Sequence, residues 1–257
     1  MSEIDDSRAP LLDHLIELRR RLLYCIAALV LCFAVAMYFV EPVFAFLLAP
    51  LRAAGQKEVI FTTVYGGFFT EVKLAFFASM MLSFPVIANQ LWRFVAPGLY
   101  KKEKRAVLPF LAATPVLFLG GAALAYFVAV PIALHFFLGY SGNIGGVRRQ
   151  ALPDVAEYLS FIMHLLFGFG LAFLLPILLM LLERAGIVTR KQLVGARRYA
   201  IVAAFAVSAV LTPPDVGSQL LLAIPLVLLY EAALVGIWIT ERRRAREPVA
   251  AVAAIDD

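Results

Sequence analysis

From Ala106 to Val147 the chain runs 42 residues without a Lys, Arg, Asp or Glu. A helix needs roughly 20 apolar residues to cross about 30 Å of hydrocarbon, so a run of this kind belongs in a bilayer. It has company: Leu22 to Val40, Leu74 to Trp92 and Tyr158 to Leu182 are also free of charge. Hydrophobic residues make up 63% of the 257 positions, against about 45–50% in soluble domains. The charged 16% is clustered between the apolar runs. This pattern excludes a soluble enzyme, a disordered chain and a nucleic-acid-binding domain, in spite of a pI near 9.3.

The pattern predicts an all-α protein with six membrane spans. Spans one, two and four are Leu22–Val40, Leu74–Trp92 and Tyr158–Leu182. Span three is one long helix from Ala106 to about Leu138, followed by a loop containing Gly139, Gly142, Gly145 and Gly146. Tyr199 to Thr240 is broken by Thr212-Pro213-Pro214-Asp215, a tight turn between spans five and six. Span five, Tyr199–Leu211, and span six, Val216–Tyr230 before Glu231, both read as short for a bilayer. Prolines 85, 109, 115, 131, 176 and 225 predict several kinked helices, although proline is also common in ordinary membrane spans.

Six spans put both termini on one side. Of the Lys and Arg residues, 18 fall on that face and five on the other. The positive-inside rule makes that face, and both termini, cytoplasmic. The expected organisation is a single membrane domain: an amphipathic cytoplasmic segment 1–21, a membrane region 22–240 and a disordered cytoplasmic tail 241–257. Cys25 and Cys32 are too far apart on one helix to bridge each other. His14, His135 and His164 lack metal-ligand spacing, and no phosphate loop occurs, so neither metal nor cofactor is expected.

Two cytoplasmic segments stand out. In the first, Leu11, Leu15, Leu18 and Leu22 form one helical stripe, and Asp13 and Glu17 share another face. Arg20 and Arg21 lie three and four residues after Glu17, within pairing distance. By periodicity alone this is a helix lying at the membrane surface. The second, Gln90 to Arg105, places the single carboxylate of Glu103 among Lys101, Lys102, Lys104 and Arg105. Topology needs only the cations, so Glu103 is the unexplained residue.

Four strings, in order along the chain, resemble the TatC family, the polytopic subunit of the twin-arginine protein translocase. They are His14-Leu15-Ile16-Glu17-Leu18-Arg19-Arg20-Arg21-Leu22, Phe94-Val95-Ala96-Pro97-Gly98-Leu99-Tyr100 through Glu103, Tyr158-Leu159-Ser160-Phe161, and Leu211-Thr212-Pro213-Pro214-Asp215-Val216. The resemblance covers about residues 10 to 240. It implies a receptor, not an enzyme. Such a receptor binds signal peptides carrying paired arginines on folded cargo. It passes that cargo across the cytoplasmic (inner) membrane with single-span TatA- and TatB-like partners, driven by the proton-motive force, and self-associates in a larger complex. Carried over by residue, Glu103 is the principal arginine acceptor and Glu17 the auxiliary one. Arg19 holds the helix tip through an ion pair, and Gln90 and Phe94 line the site. Leu18 and Pro50 match positions of structural weight. Thr212, Asp215 and Gln219 form the partner-docking surface, and Asp215 also suits the cap of span six. Where many relatives carry a polar residue in span four this chain has Leu174, so no buried-acid mechanism is expected there.

Two other readings compete. A secondary transporter of a small solute would bury charges near the midplane, but the spans offer only His135, His164 and Glu231, and no internal repeat. Gly139-Tyr140-Ser141-Gly142 matches an intramembrane serine protease motif, yet that chemistry needs Ser141 at the head of a membrane helix.

Overall fold

The computed structural model describes residues 3–56, 58–99, 104–139, 142–144, 147–149, 153–211 and 216–253. They form ten α-helices: α1 (Glu3–Tyr38), α2 (Val40–Ala53), α3 (Gly66–Leu99), α4 (Lys104–Leu124), α5 (Val130–Leu138), α6 (Val155–Ala172), α7 (Leu175–Arg184), α8 (Arg190–Gly195), α9 (Arg197–Leu211) and α10 (Val216–Ala253). A π-helical turn, Ala125–Ala129, joins α4 to α5. Five segments are long and apolar enough to cross a membrane: Leu15–Tyr38, Gly66–Phe94, Ala112–Leu138, Val155–Arg184 and Gln219–Arg242. With α9, at 15 residues or roughly 22 Å, they account for the six expected spans.

Several boundaries differ from expectation. The segment 1–21 is not a separate surface helix, because α1 runs unbroken from Glu3 into span one. Just after Tyr38 a further helix, α2, begins in the stretch between spans one and two. Span six is not short. Its apolar stretch extends past Glu231 to Arg242, because that carboxylate is ion-paired to Arg197 at 2.8 Å. The helix continues to Ala253, into the tail expected to be disordered. The glycine-rich loop carries a short antiparallel pair, β1 (Gly142–Ile144) and β2 (Val147–Arg149). Ser141 lies outside the described residues, and the chain after it enters a strand, not the helix a serine protease would need.

Prolines act unequally. Helices α3, α4 and α10 continue through Pro85, Pro109, Pro115 and Pro225. Ahead of Pro131, which cannot donate to the carbonyl of Phe127, the turn widens so that Val130 N–H reaches Ala125 O. Ahead of Pro176 the helix is interrupted at Phe173 and Leu174, with Leu174 N–H tightened onto Leu171 O at 3.0 Å.

The described chain falls into two packing units. The first comprises residues 1–116 and 138–163. Here α1 packs along α3, whose buried side chains are mostly small: Thr70, Ala75, Ser79, Ser83 and Ala88 around Leu74. Small side chains let membrane helices approach closely. Three cross-ties hold the unit. Tyr158 OH donates to Leu47 O at 3.0 Å, inside the core. Trp92 Nε1 donates to Thr114 Oγ1 at 2.8 Å. Asp154 caps α6 by accepting from the Ala156 and Glu157 amides at 2.8 and 3.1 Å, and its other oxygen accepts from Thr62 N and Oγ1 at 2.9 and 2.7 Å. These bonds, the Thr62 hydroxyl foremost, favour the carboxylate and hold Asp154 below its ordinary pKa.

The second unit comprises residues 117–137 and 164–257. α10 is its spine, packed on α7 and α9. Gly170 faces the Phe118 ring and Gly121 faces the Phe169 carbonyl, each closer than a β-carbon would allow. Near the other end, Leu193, Tyr230, Leu234 and Ile237 form a buried cluster, and Tyr230 OH donates to Leu193 O at 2.6 Å.

Candidate functional site

Both expected recognition segments lie in the first unit. Glu17 sits on α1, half-buried, four residues before Arg21. That spacing stacks the two side chains on one helical face. Arg21 Nε donates to Glu17 Oε1 at 3.0 Å and Nη2 bonds the same oxygen. Arg21 Nη1 turns to α3 and donates weakly to Gln90 O at 3.4 Å. The Arg21 side chain is only 15% exposed, whereas that of Glu17 keeps 32%. The carboxylate is thus oriented by a guanidinium while about a third of its side chain is exposed.

Around this pair, Gln90 and Phe94 are half-buried near the C-terminal end of α3. Leu18 is exposed, as are Leu15 and Leu22. Leu15, Leu18 and Leu22 therefore form an apolar surface on α1 rather than core. Arg19 is exposed, and Glu17 is ion-paired to Arg21 in the middle of α1. Glu103 lies outside the described residues. One residue was missed: Asn89, next to Gln90, has a buried Oδ1 with no hydrogen-bond partner among the described residues. Its signal was available, as an amide in an otherwise apolar part of span two.

At the far end of the second unit, Gln219 Nε2 donates to Phe205 O at 3.3 Å, and Ser208 Oγ bonds both Ala204 O and Gln219 O at 3.1 Å. These bonds tie the start of α10 to α9. Thr212, Pro213, Pro214 and Asp215 lie outside the described residues. Pro50 is inside α2 beside the buried Leu51. Leu174 caps the N-terminus of α7, half-buried and apolar. Among the described residues, no three of His, Cys, Asp and Glu converge as metal ligands.

Residues 13–225 match the model of the family described as Sec-independent protein translocase protein (TatC). The chain belongs to the TatC family. A TatC protein of Magnetococcus marinus is 44% identical over 247 residues, covering 95% of this chain and 90% of that one. The TatC protein of Escherichia coli K12 is 44% identical over 230 residues, covering 89% and 87%. A crystal structure titled as the twin arginine translocase receptor TatC superposes with a TM-score of 0.76 at 40% identity, covering 86% of this chain and 96% of that chain. The TatC family consists of translocase subunits and not of enzymes. Membership settles the choice against a small-solute transporter and against a protease. It also makes this chain a multi-pass membrane protein whose work is protein transport.

Proposed function

We propose that this TatC chain is the receptor for arginine-pair signal peptides in a cytoplasmic (inner) membrane, with both termini in the cytoplasm. The carrying observation is the Glu17 carboxylate. It holds a guanidinium by Nε and Nη2 while about a third of its side chain remains exposed to solvent. A group already shaped to one arginine fork accepts another by the same charge-assisted bonds. Glu103 supplies the principal acceptor, and Gln90 and Phe94 flank the peptide. Exposed Leu18 offers apolar contact, and Arg19 steadies this stretch of α1 through an intramolecular ion pair. The name of the solved relative, a twin arginine translocase receptor, supports the same reading. So does the distribution of 18 cations against five, which supports the cytoplasmic placement of this end.

Single-span TatA- and TatB-like subunits dock, in this reading, along α9 and the start of α10, at Thr212, Asp215 and Gln219, and several copies of the chain assemble with them. Pro50, Pro213 and Pro214 keep structural roles. Photocrosslinking of a signal peptide bearing a reactive group beside its arginine pair tests the receptor assignment. Glu103→Ala is expected to abolish labelling and Glu17→Ala to weaken it. Undiminished labelling of Glu103→Ala, in stably inserted protein, overturns the assignment.

A further inference from the structure

The second unit contains a cleft that the receptor reading does not use. It has a volume of about 140 Å³ and lies between α8, the start of α9 and α10. Val194, Leu234, Val235 and Trp238 give it an apolar lining. Two guanidiniums, Arg190 and Arg197, stand at its walls. A third, Arg242, lies 3.9 Å above the Trp238 ring, one turn further along α10.

These cations carry more hydrogen-bond donors than the protein uses. Arg197 Nη2 donates to Glu231 Oε2 at 2.8 Å, which fixes its plane and leaves its other N–H groups over. Arg190 approaches Glu241 only to 3.8 Å, beyond hydrogen-bond range, and its Nε is out of solvent with no acceptor. Glu231 lines the same cleft, but its charge is committed to Arg197. The cleft also lies along the last turns of the apolar stretch of α10. The apolar stretch ends at Arg242, and Arg243, Arg244 and Arg246 follow. A tryptophan there places its ring at headgroup depth.

We propose that this cleft binds the phosphodiester headgroup of an anionic phospholipid. The phosphate oxygens bridge Arg190 and Arg197, and the glycerol and upper acyl carbons lie on Leu234 and Val235. Basic pockets between spans at the cytoplasmic end of a bundle suit such headgroups.

The test uses the full chain carrying Trp92→Phe, which leaves Trp238 as its one tryptophan. It is reconstituted in vesicles mixing brominated phosphatidylglycerol with ordinary phosphatidylcholine, and then in the reverse pair. Bromine quenching of Trp238 reports the relative occupancy of the two lipids. Phosphatidylglycerol is expected to be preferred about tenfold, and Arg190→Gln to cut that preference about fivefold, the order of one guanidinium at an anionic surface. Arg52→Gln, an exposed cation in the other unit, is expected to leave it unchanged. Inorganic phosphate added at constant ionic strength is expected not to compete. Equal occupancy by the two lipids, an equal drop in Arg52→Gln, or displacement by free phosphate each overturns the lipid site. Should Arg190→Gln fail to insert, Arg190→Lys, which keeps the charge and loses the fork, is expected to halve the preference at least. An unchanged value there overturns the site as well.

Discussion

Arg21 spans two helices: it grips Glu17 on its own helix by Nε and Nη2 and touches the Gln90 carbonyl of α3 through Nη1. The carboxylate proposed to accept a signal-peptide arginine is therefore also part of the joint between α1 and α3. Glu17→Gln leaves a largely buried guanidinium without its counter-charge. We expect it to lower stability by about 1–2 kcal/mol, less than a fully buried pair because Glu17 remains partly in water. Thermal unfolding of the detergent-solubilised protein checks this. The double variant Glu17→Gln/Arg21→Gln should recover most of the loss, and additive losses would show that the pair is not coupled.

Neighbouring glycines in α4 should behave oppositely. A β-carbon at Gly121 would stand 2.5 Å from the Phe169 carbonyl oxygen, which is backbone and cannot step aside. Gly121→Ala is expected to destabilise by about 1–3 kcal/mol. Gly120 has nothing within 4 Å, so Gly120→Ala should be neutral or mildly stabilising through helix propensity alone. Equal midpoints for the two variants in thermal unfolding would contradict the packing of α4 on α6 in the second unit.

Asp154 supplies a pH dependence of defined sign. Its folded-state pKa is lowered, chiefly by the Thr62 hydroxyl bond. Its contribution is therefore fully present above the unfolded value of about 3.9 and is lost as pH falls through the folded value. Amide exchange at Thr62, corrected for intrinsic rate, should be constant from about pH 5 to 8 and quicken only in stronger acid. Asp154→Asn should show the quickened rate already at neutral pH. A variant as protected as the parent would remove Asp154 from that role.

Gln219 bonds Phe205 O from the first turns of α10 while remaining half-exposed. Under the proposed function, Gln219→Lys places a charge on the docking surface. It should reduce co-purification of single-span partners several-fold while signal-peptide crosslinking persists. Loss of both, in a stably inserted protein, would count against separate surfaces.

Much of the membrane architecture was legible in the sequence because hydrocarbon tolerates so few charges: each span announces itself by what it lacks. What escaped was tertiary. Glu231 read as the end of a span because its partner, Arg197, lies 34 residues away and no local pattern joins them. Helix α2 was missed although Val40, Phe44, Leu47 and Leu51 repeat the spacing of the leucines in the first segment. The ribbon of β1 and β2 has strands of three residues, too short for a period to show. At the site, the pairing of Glu17 with Arg21 followed from a spacing of four. The meeting of Arg21 with Gln90, and the stranded Oδ1 of Asn89, depend on how α3 lies against α1.

The π turn at Ala125–Ala129 has a consequence for insertions and deletions. It holds one residue more than a regular α turn, so it offsets the helical phase beyond it by roughly 100°. Removing a single residue there, such as Val128, would restore an ordinary helix and lose little local hydrogen bonding. The same deletion would leave Ala133 and Leu134 buried and His135 and Phe136 facing outward, because the lost residue and the lost offset cancel. The turn thus acts as one residue of slack in the span, taken up without changing which side chains face inward.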